Sequence, residues 1–225
     1  KDDIGNAWFI GEPISAIYDF EHAGGVWTEE ELFNGEIPDG FYPGQYKLVD
    51  QNGDGQITAG EDRTIVGYEK PSYRFSISNR LMYRNISLSF LITSIQGGGG
   101  YYIHDNRRFL EATSDFDYAQ RANQPAIREN WTPFNEVTNT PPIYNYPPVK
   151  SGNYQSRSFV RLQNVSLSYN FDQELLSSVG IKRLSIYLNG RNLYTWTNWS
   201  GYDPELATQT DLMMRSVTAG IDISI

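Results

Sequence analysis

Between residues 216 and 225 apolar and polar side chains alternate in one phase. Val217, Ala219, Ile221, Ile223 and Ile225 fall on one side of an extended chain, and Ser216, Thr218, Asp222 and Ser224 on the other. Successive side chains of a strand point to opposite faces, so a period of two specifies one apolar surface and one polar surface. At the carboxyl end of a chain this pattern fits the closing strand of a membrane β-barrel, with apolar side chains toward lipid and polar ones toward the lumen.

The period recurs upstream. Residues 72–83 set Tyr73, Phe75, Ile77, Leu81 and Tyr83 against Ser72, Arg74, Ser76, Ser78 and Arg80, broken only at Asn79 and Met82. After Arg84 and Asn85 a second run places Ile86, Leu88, Phe90 and Ile92 opposite Ser87, Ser89 and Thr93, which predicts a hairpin with a tight turn. Residues 158–171 alternate from Asn164 onward, whereas Val160 and Leu162 are out of phase, so a bulge or strand end is expected there. A fourth run covers 182–196, and 6–18 is a weaker sixth candidate. The connections alternate in length: short at 84–85 and 172–181, long at 20–70, 97–157 and 197–213. Outer-membrane barrels have this asymmetry, with short periplasmic turns and long external loops, and it puts the carboxyl terminus on the periplasmic side. Leu175, Leu176 and Val179 at helical spacing, with Gly180 as a stop, predict one short helix in the second short turn, and 106–120 is a candidate helix in the longest loop.

Bulk composition leaves this reading standing. A mean hydropathy of -0.51 looks soluble. Barrel strands need only about 9–11 residues each, half of them polar, so they escape a hydropathy test designed for helices. The net charge of -9 argues against a phosphate-backbone partner. The absence of cysteine removes disulfides, thiolate zinc sites and cysteine nucleophiles. The sequence opens at Lys1 without an initiator Met or a signal segment, so a carboxyl-terminal piece of a longer protein is expected.

Among local motifs, 50–61 is the sharpest. Asp50, Asn52, Asp54, Gln56 (through its carbonyl) and Glu61 occur at EF-hand ligand spacing, with Gly55 at the sixth position. Hard cations such as Ca²⁺ take six to eight oxygens from a chain able to curl tightly, so this loop is a candidate Ca²⁺ site; the alternative is a run of Asx turns capping its own backbone. Catalytic signals are sparse. His22 and His104 are the only histidines and lie in different loops, and 97–100 lacks the Lys-Ser/Thr of a phosphate loop. No enzyme is expected. Loop aromatics provide weaker candidates for ligand or lid contact, namely Tyr101, Trp131 and Tyr202.

Several segments together resemble the SusC/RagA-type TonB-linked outer-membrane transporters: GEPISAIYDFEHAGGVWTEEEL at 11–32, YPGQYKLVDQNGDGQITAGEDRTIVGYEKPSYRFSISN at 42–79, FVRLQNVSLSYNF at 159–171 and GIKRLSIYLNGRNLYTWTNWSGYDPE at 180–205. Within 101–157 only Trp131-Thr132-Pro133 is familiar, and Ile225 stands where such barrels commonly end in an aromatic residue. The resemblance implies a TonB-dependent receptor of twenty-two strands holding an amino-terminal plug, paired with a SusD-like surface lipoprotein and driven by the TonB complex to import oligosaccharides or peptides. Residues 1–225 would then be the carboxyl-terminal portion, about six strands, with 20–70 and 97–157 as extracellular loops. The competing expectations are a secreted, Ca²⁺-binding β-sandwich carbohydrate-binding module and, further off, a secreted glycoside hydrolase.

Overall fold

A computed structural model describes residues 2–100, 130–136, 141–142, 147–152, 154–178, 180–206 and 213–225. The chain forms two compact units, one from Lys1–Lys70 with Gly99–Gln155 and the other from Pro71–Gly98 with Ser156–Ile225.

The second unit is one antiparallel sheet. Its strands are β5 (Pro71–Tyr83), β6 (Ile86–Gly97), β9 (Phe159–Asn170), β10 (Arg183–Thr197) and β11 (Ser216–Ser224), in spatial order β11-β10-β9-β6-β5. Register aligns the periodic residues across all five. Leu81, Leu88, Leu167, Leu188 and Ala219 form one continuous row, and Tyr83, Ile86, Tyr169, Ile186 and Ile221 form the next. On the opposite face run Arg80, Ser89, Ser166, Asn189 and Thr218, then Met82, Ser87, Ser168, Tyr187 and Gly220. Directly paired residues share a face, so the period-two pattern of each strand becomes an apolar and a polar surface of the whole sheet.

The apolar surface is uncovered. Leu81 is 54% exposed, and Ile77, Tyr83, Leu188, Ile221 and Ile223 are likewise exposed. In a sandwich this face would meet a second sheet across a dry core; among the described residues of this unit no second sheet covers it, which counts against the sandwich and for a lipid-facing wall. Aromatic residues gather at both ends of the apolar band. Tyr73 and Phe75 stack at 6.4 Å and Tyr194 and Trp196 meet edge to face at 4.8 Å, while Tyr169 and Phe171 touch at 5.0 Å toward the other end. From Tyr73 to Tyr83 the strand rises about 34 Å at ~3.4 Å per residue, or roughly 26 Å along the normal at a tilt of ~40°, which matches the apolar band of ~25 Å in outer-membrane barrels.

The two-residue turn at Arg84 and Asn85 is present, with Arg84 in the left-handed region at φ 49°. The expected phase change near Leu162 is a bulge. Between β6 and β9 the register jumps from Leu91–Asn164 to Ile92–Leu162, and between β9 and β10 from Asn164–Arg191 to Leu162–Tyr194, with Asn192 left-handed at φ 51°. The expected helix is α2 (Gln173–Ser177), which buries Leu176 and is followed by Gly180 at φ 75°. Val179 and the 106–120 candidate fall outside the described residues. The Arg84–Asn85 turn, α2 and the end of β11 share one end of the sheet, since Ile86 pairs with Tyr169 and Arg183 with Ser224.

The 6–18 run does not extend this sheet. Residues Ile4–Asn6 form a short 3-10 turn and Gly11 takes φ 93°, which break the extended backbone a barrel strand needs. Only its end is a strand, β1 (Ala16–Phe20), which pairs with β4 (Arg63–Tyr68) in the first unit. There β2 (His22–Val26) pairs with β3 (Tyr46–Leu48), and the helix α1 (Glu29–Phe33) starts on a capping box in which Thr28 and Glu31 bond each other's backbone. Phe20, Phe41, Leu48 and Ile57 form the core, flanked by Trp27, Ile37, Tyr46 and Val149. Residues 20–70 are therefore a folded element with its own core.

Candidate functional site: the polar face and its loops

The polar face is a carpet of hydroxyls and amides. Ser166 donates to Asn189 Oδ1 at 2.6 Å and the Arg80 Nε–H donates to Ser87 Oγ at 3.3 Å. Near the Gly220 backbone an aromatic ring takes the place of a side chain: a Cβ built on Gly220 would lie 2.3 Å from Cζ and Oη of Tyr187, so Tyr187 lies over the glycine of the paired strand.

Toward the end of the sheet with the long connections, one arginine holds a segment of the β10–β11 connection against this face. Arg161, on β9 and 2% exposed, donates from Nη2 to Asp203 at 2.6 Å, from Nη1 to Glu205 at 2.8 Å and from Nε to Thr195 Oγ1 at 3.0 Å. Its guanidinium lies 4.5 Å from the Phe159 ring centroid. Asp203 also accepts from the Glu205 N–H at 2.9 Å, and Arg157 donates to the carbonyls of Pro204 and Glu205. Buried arginine is stable only when its donors are matched, and a guanidinium fork between two carboxylates and a hydroxyl meets that condition. Trp199 is buried beside this segment, whereas Tyr202 is 60% exposed. Nothing in the spacing of Arg161 from Asp203 signals the pairing. The one available cue is an arginine inside an otherwise neutral strand, because a charge there needs a partner from elsewhere.

The acidic loop is closed by its own hydrogen bonds. Asp50 accepts from the N–H groups of Gly53 and Gly55 at 2.7 Å each, Asn52 Oδ1 from the Asp54 N–H at 3.0 Å, and Asp54 Oδ1 from the Gln56 N–H at 2.8 Å. The Gly55 N–H holds the Asp50 carboxyl below its ordinary value against the opposing effect of desolvation, and the N–H groups of Gly53, Asp54 and Asn52 add to the lowering. The Asn52 Nδ2 donates to Asp54 Oδ2 at 3.2 Å and to Glu61 Oε2 at 3.1 Å, so the carboxylates of loop positions five and twelve already face one point. Among the described residues no three acidic or histidine side chains are gathered as a metal cage. The loop is pinned by Ile57 in the core and by Asp62, which the spacing argument passed over. Asp62 is 0% exposed and accepts from the Gln51 N–H at 2.9 Å and the Thr58 N–H at 2.6 Å. The tandem Glu61-Asp62 was the available signal, one carboxylate in solvent and its neighbour turned inward.

Of the aromatic candidates, Tyr101 lies outside the described residues. Trp131 is 7% exposed and packs on Gly44, where a Cβ would stand 2.6 Å from its ring, so its burial is explained by packing. His22 is half-buried against Tyr46 at 4.7 Å, with Nε2 unpartnered among the described residues. Desolvation holds its imidazole below the ordinary value, opposed by the nearby Asp19 charge and a hydrogen bond to the Gly152 backbone.

Known proteins agree with this wall. The chain is 31% identical over 222 residues to TonB-dependent receptor P3 of Formosa agariphila, covering 94% of the chain and 21% of that receptor. It is also 27% identical to TonB-dependent receptor P26 of the same organism, over 87% of the chain and 20% of the relative. The chain belongs to the TonB-dependent receptors. No family model matches it. Solved structures of the RagAB peptide importer superpose on it, with a TM-score of 0.64 at 24% identity for the open-open state, covering 97% of the chain and 23% of that structure's chain. A second structure, of the RagAB peptide transporter, gives 0.63 at 20% identity over 92% and 22% of the two chains. These likenesses give the five-stranded sheet the fold of a transmembrane β-barrel wall. The chain spans about a fifth of the length of the curated receptors it matches.

Proposed function

We propose that the chain forms the carboxyl-terminal part of the wall of a TonB-dependent receptor in the bacterial outer membrane, which imports an oligosaccharide or a peptide. The observation that carries this is the segregation of faces: an exposed apolar surface in unbroken rows across five strands, backed by a face of hydroxyls, amides and arginines. In lipid every backbone group must be paired, so such a sheet functions only inside a closed barrel. The long connections then face outward and the carboxyl terminus faces the periplasm. A SusD-like lipoprotein partners the external loops, and the TonB complex supplies the energy. The reading assigns the wall binding and passage, with no covalent chemistry. Tyr202, exposed beside the Arg161 clamp, is the proposed ligand or lid contact.

The same reading gives 50–61 a Ca²⁺ ion that stiffens an external loop. It is supported by the convergence of Asp54 and Glu61 on the Asn52 amide and by the ionised Asp50. Turning that amide to offer Oδ1 would cost the bond from the Asp54 N–H, so the expected affinity is that of extracellular modules, about 10⁻⁴–10⁻³ M. Protection of 50–62 from proteolysis at millimolar Ca²⁺ supports the site, and unchanged cleavage removes it.

For the import reading, cells lacking the full receptor are grown on a panel of oligosaccharides and of peptides as carbon source. Loss of growth on one class, reproduced by collapsing the proton gradient, is the expected result. Unchanged growth on all of them refutes import.

A further inference from the structure

One part of the apolar surface is dented. The row of Leu81, Leu88, Leu167 and Leu188 ends on Ala219, and the smaller side chain leaves a hollow of about 450 Å³ over β9, β10 and β11. Leu167, Tyr169, Ile186, Leu188, Ala219 and Ile221 line it, all from the apolar face. A hydrocarbon chain laid there meets carbon on several sides, where the rest of the face offers it only one.

The apolar phase of β10 runs back through Leu188, Ile186 and Leu184 to Lys182. The Lys182 N–H donates to the Ser224 carbonyl at 2.9 Å, so strand pairing reaches this residue and the phase is kept. A cation therefore stands on the apolar side of the wall, one row beyond Leu184 and Ile223, at the end that carries the Arg84–Asn85 turn. Its Nζ donates to the Ile225 carbonyl at 3.3 Å, which leaves two of the three ammonium N–H bonds for another acceptor. The carboxylate of β11, Asp222, pairs with Ser185 and belongs to the opposite face. From Lys182 to Tyr187, level with the middle of the hollow, the strand rises about 17 Å at ~3.4 Å per residue, or roughly 13 Å along the normal at a tilt of ~40°. Half of the hydrocarbon core is ~15 Å thick, so a lipid with its phosphate at Lys182 reaches the hollow with the far part of an acyl chain.

We infer that Lys182 and the hollow at Ala219 form a binding site for an anionic phospholipid, its phosphate on the ammonium and one acyl chain in the hollow. Charge disfavours a second copy of the chain as the occupant. A two-fold axis along the membrane normal brings both Lys182 ammoniums to one height at the seam, like charge beside like. The inference rests on the membrane-wall reading of the sheet.

The test uses the full receptor, one copy to a nanodisc of phosphatidylcholine. A trace of phosphatidylglycerol or of phosphatidylcholine is added, each with the same diazirine near the end of its acyl chain, and labelling of Leu188 is read against that of Leu81. These leucines are 46% and 54% exposed, so Leu81 reports ordinary lipid contact. The ratio should be about fivefold higher with phosphatidylglycerol, the fold equivalent of one lysine beside an anionic headgroup. Lys182→Gln, or Ala219→Leu filling the hollow, should return it to the phosphatidylcholine value, and Lys182→Arg should keep it. Equal ratios for the two headgroups overturn the site and leave the wall standing. Failure of both leucines to label overturns the wall and the site with it. An enrichment seen only in discs holding two receptors also overturns the inference, since the hollow is then a contact between copies.

Discussion

Replacing Asp203 with Ala should release the β10–β11 segment from the wall while leaving the strands paired. Asp203 accepts from Arg161 Nη2 at 2.6 Å and from the Glu205 N–H at 2.9 Å. Bonds to a charged group contribute about 1.5–3 kcal/mol each. The Arg161 charge is not fully orphaned, because Glu205, half exposed and therefore screened, and Thr195 still bind it. The net cost is about 3 kcal/mol, which at ~1.4 kcal/mol per tenfold is about a hundredfold in the local opening equilibrium. Hydrogen exchange read by mass spectrometry on the full receptor in nanodiscs should show this as about a hundredfold loss of protection in 197–206, with β5 and β6 unchanged. A cycle with Arg161→Met should be non-additive, with a coupling of about 2 kcal/mol, because each single variant strands the other partner. Exchange altered by less than about threefold, or strict additivity, would show that the clamp does not hold the segment.

Gly220→Ala puts a methyl group 2.3 Å from the Tyr187 ring and should lower stability in urea by about 1–3 kcal/mol; in a Tyr187→Ala background the same change should cost almost nothing, and an equal cost in both contradicts the ring-over-glycine packing. Asp62→Asn sets an amide donor against the Gln51 or Thr58 N–H, so proteolysis of 50–62 should accelerate by the equivalent of about 1–3 kcal/mol, while Glu61→Gln has little effect without Ca²⁺. His22 binds its proton less readily when folded than unfolded, so folding stability is full above the unfolded value of about 6.5 and falls as pH drops below it. Exchange protection in β2 and β3, corrected for intrinsic rates, should decline between pH 7.5 and 5, and His22→Phe should flatten that decline.

The wall was legible because it obeys a local rule. Each strand states its face in its own period, and register only aligns what alternation has already sorted, as the leucine row from Leu81 to Leu188 shows. The bulge near Leu162 was equally visible as a slipped phase. The first unit was not legible, since its core joins Phe20, Phe41, Leu48 and Ile57 across turns with no shared period, and so 6–18 passed for a barrel strand. The Arg161 clamp was invisible for a related reason. Its partners lie 42 and 44 residues away, and a long-range ion pair leaves no spacing signature. In the acidic loop the ligand spacing was plain, yet the Asn52 amide and the inward turn of Asp62 follow from backbone geometry.

Photoactivatable lipid tests the two-faced wall most directly. With diazirine-bearing acyl chains in a bilayer containing the full receptor, Leu81, Leu88, Leu167 and Leu188 should be labelled. Arg80, Ser89, Ser166 and Asn189, on the other face of the same strands, should be spared. Equal labelling of the two sets, or leucines reached only by water-soluble reagents, would contradict a membrane wall.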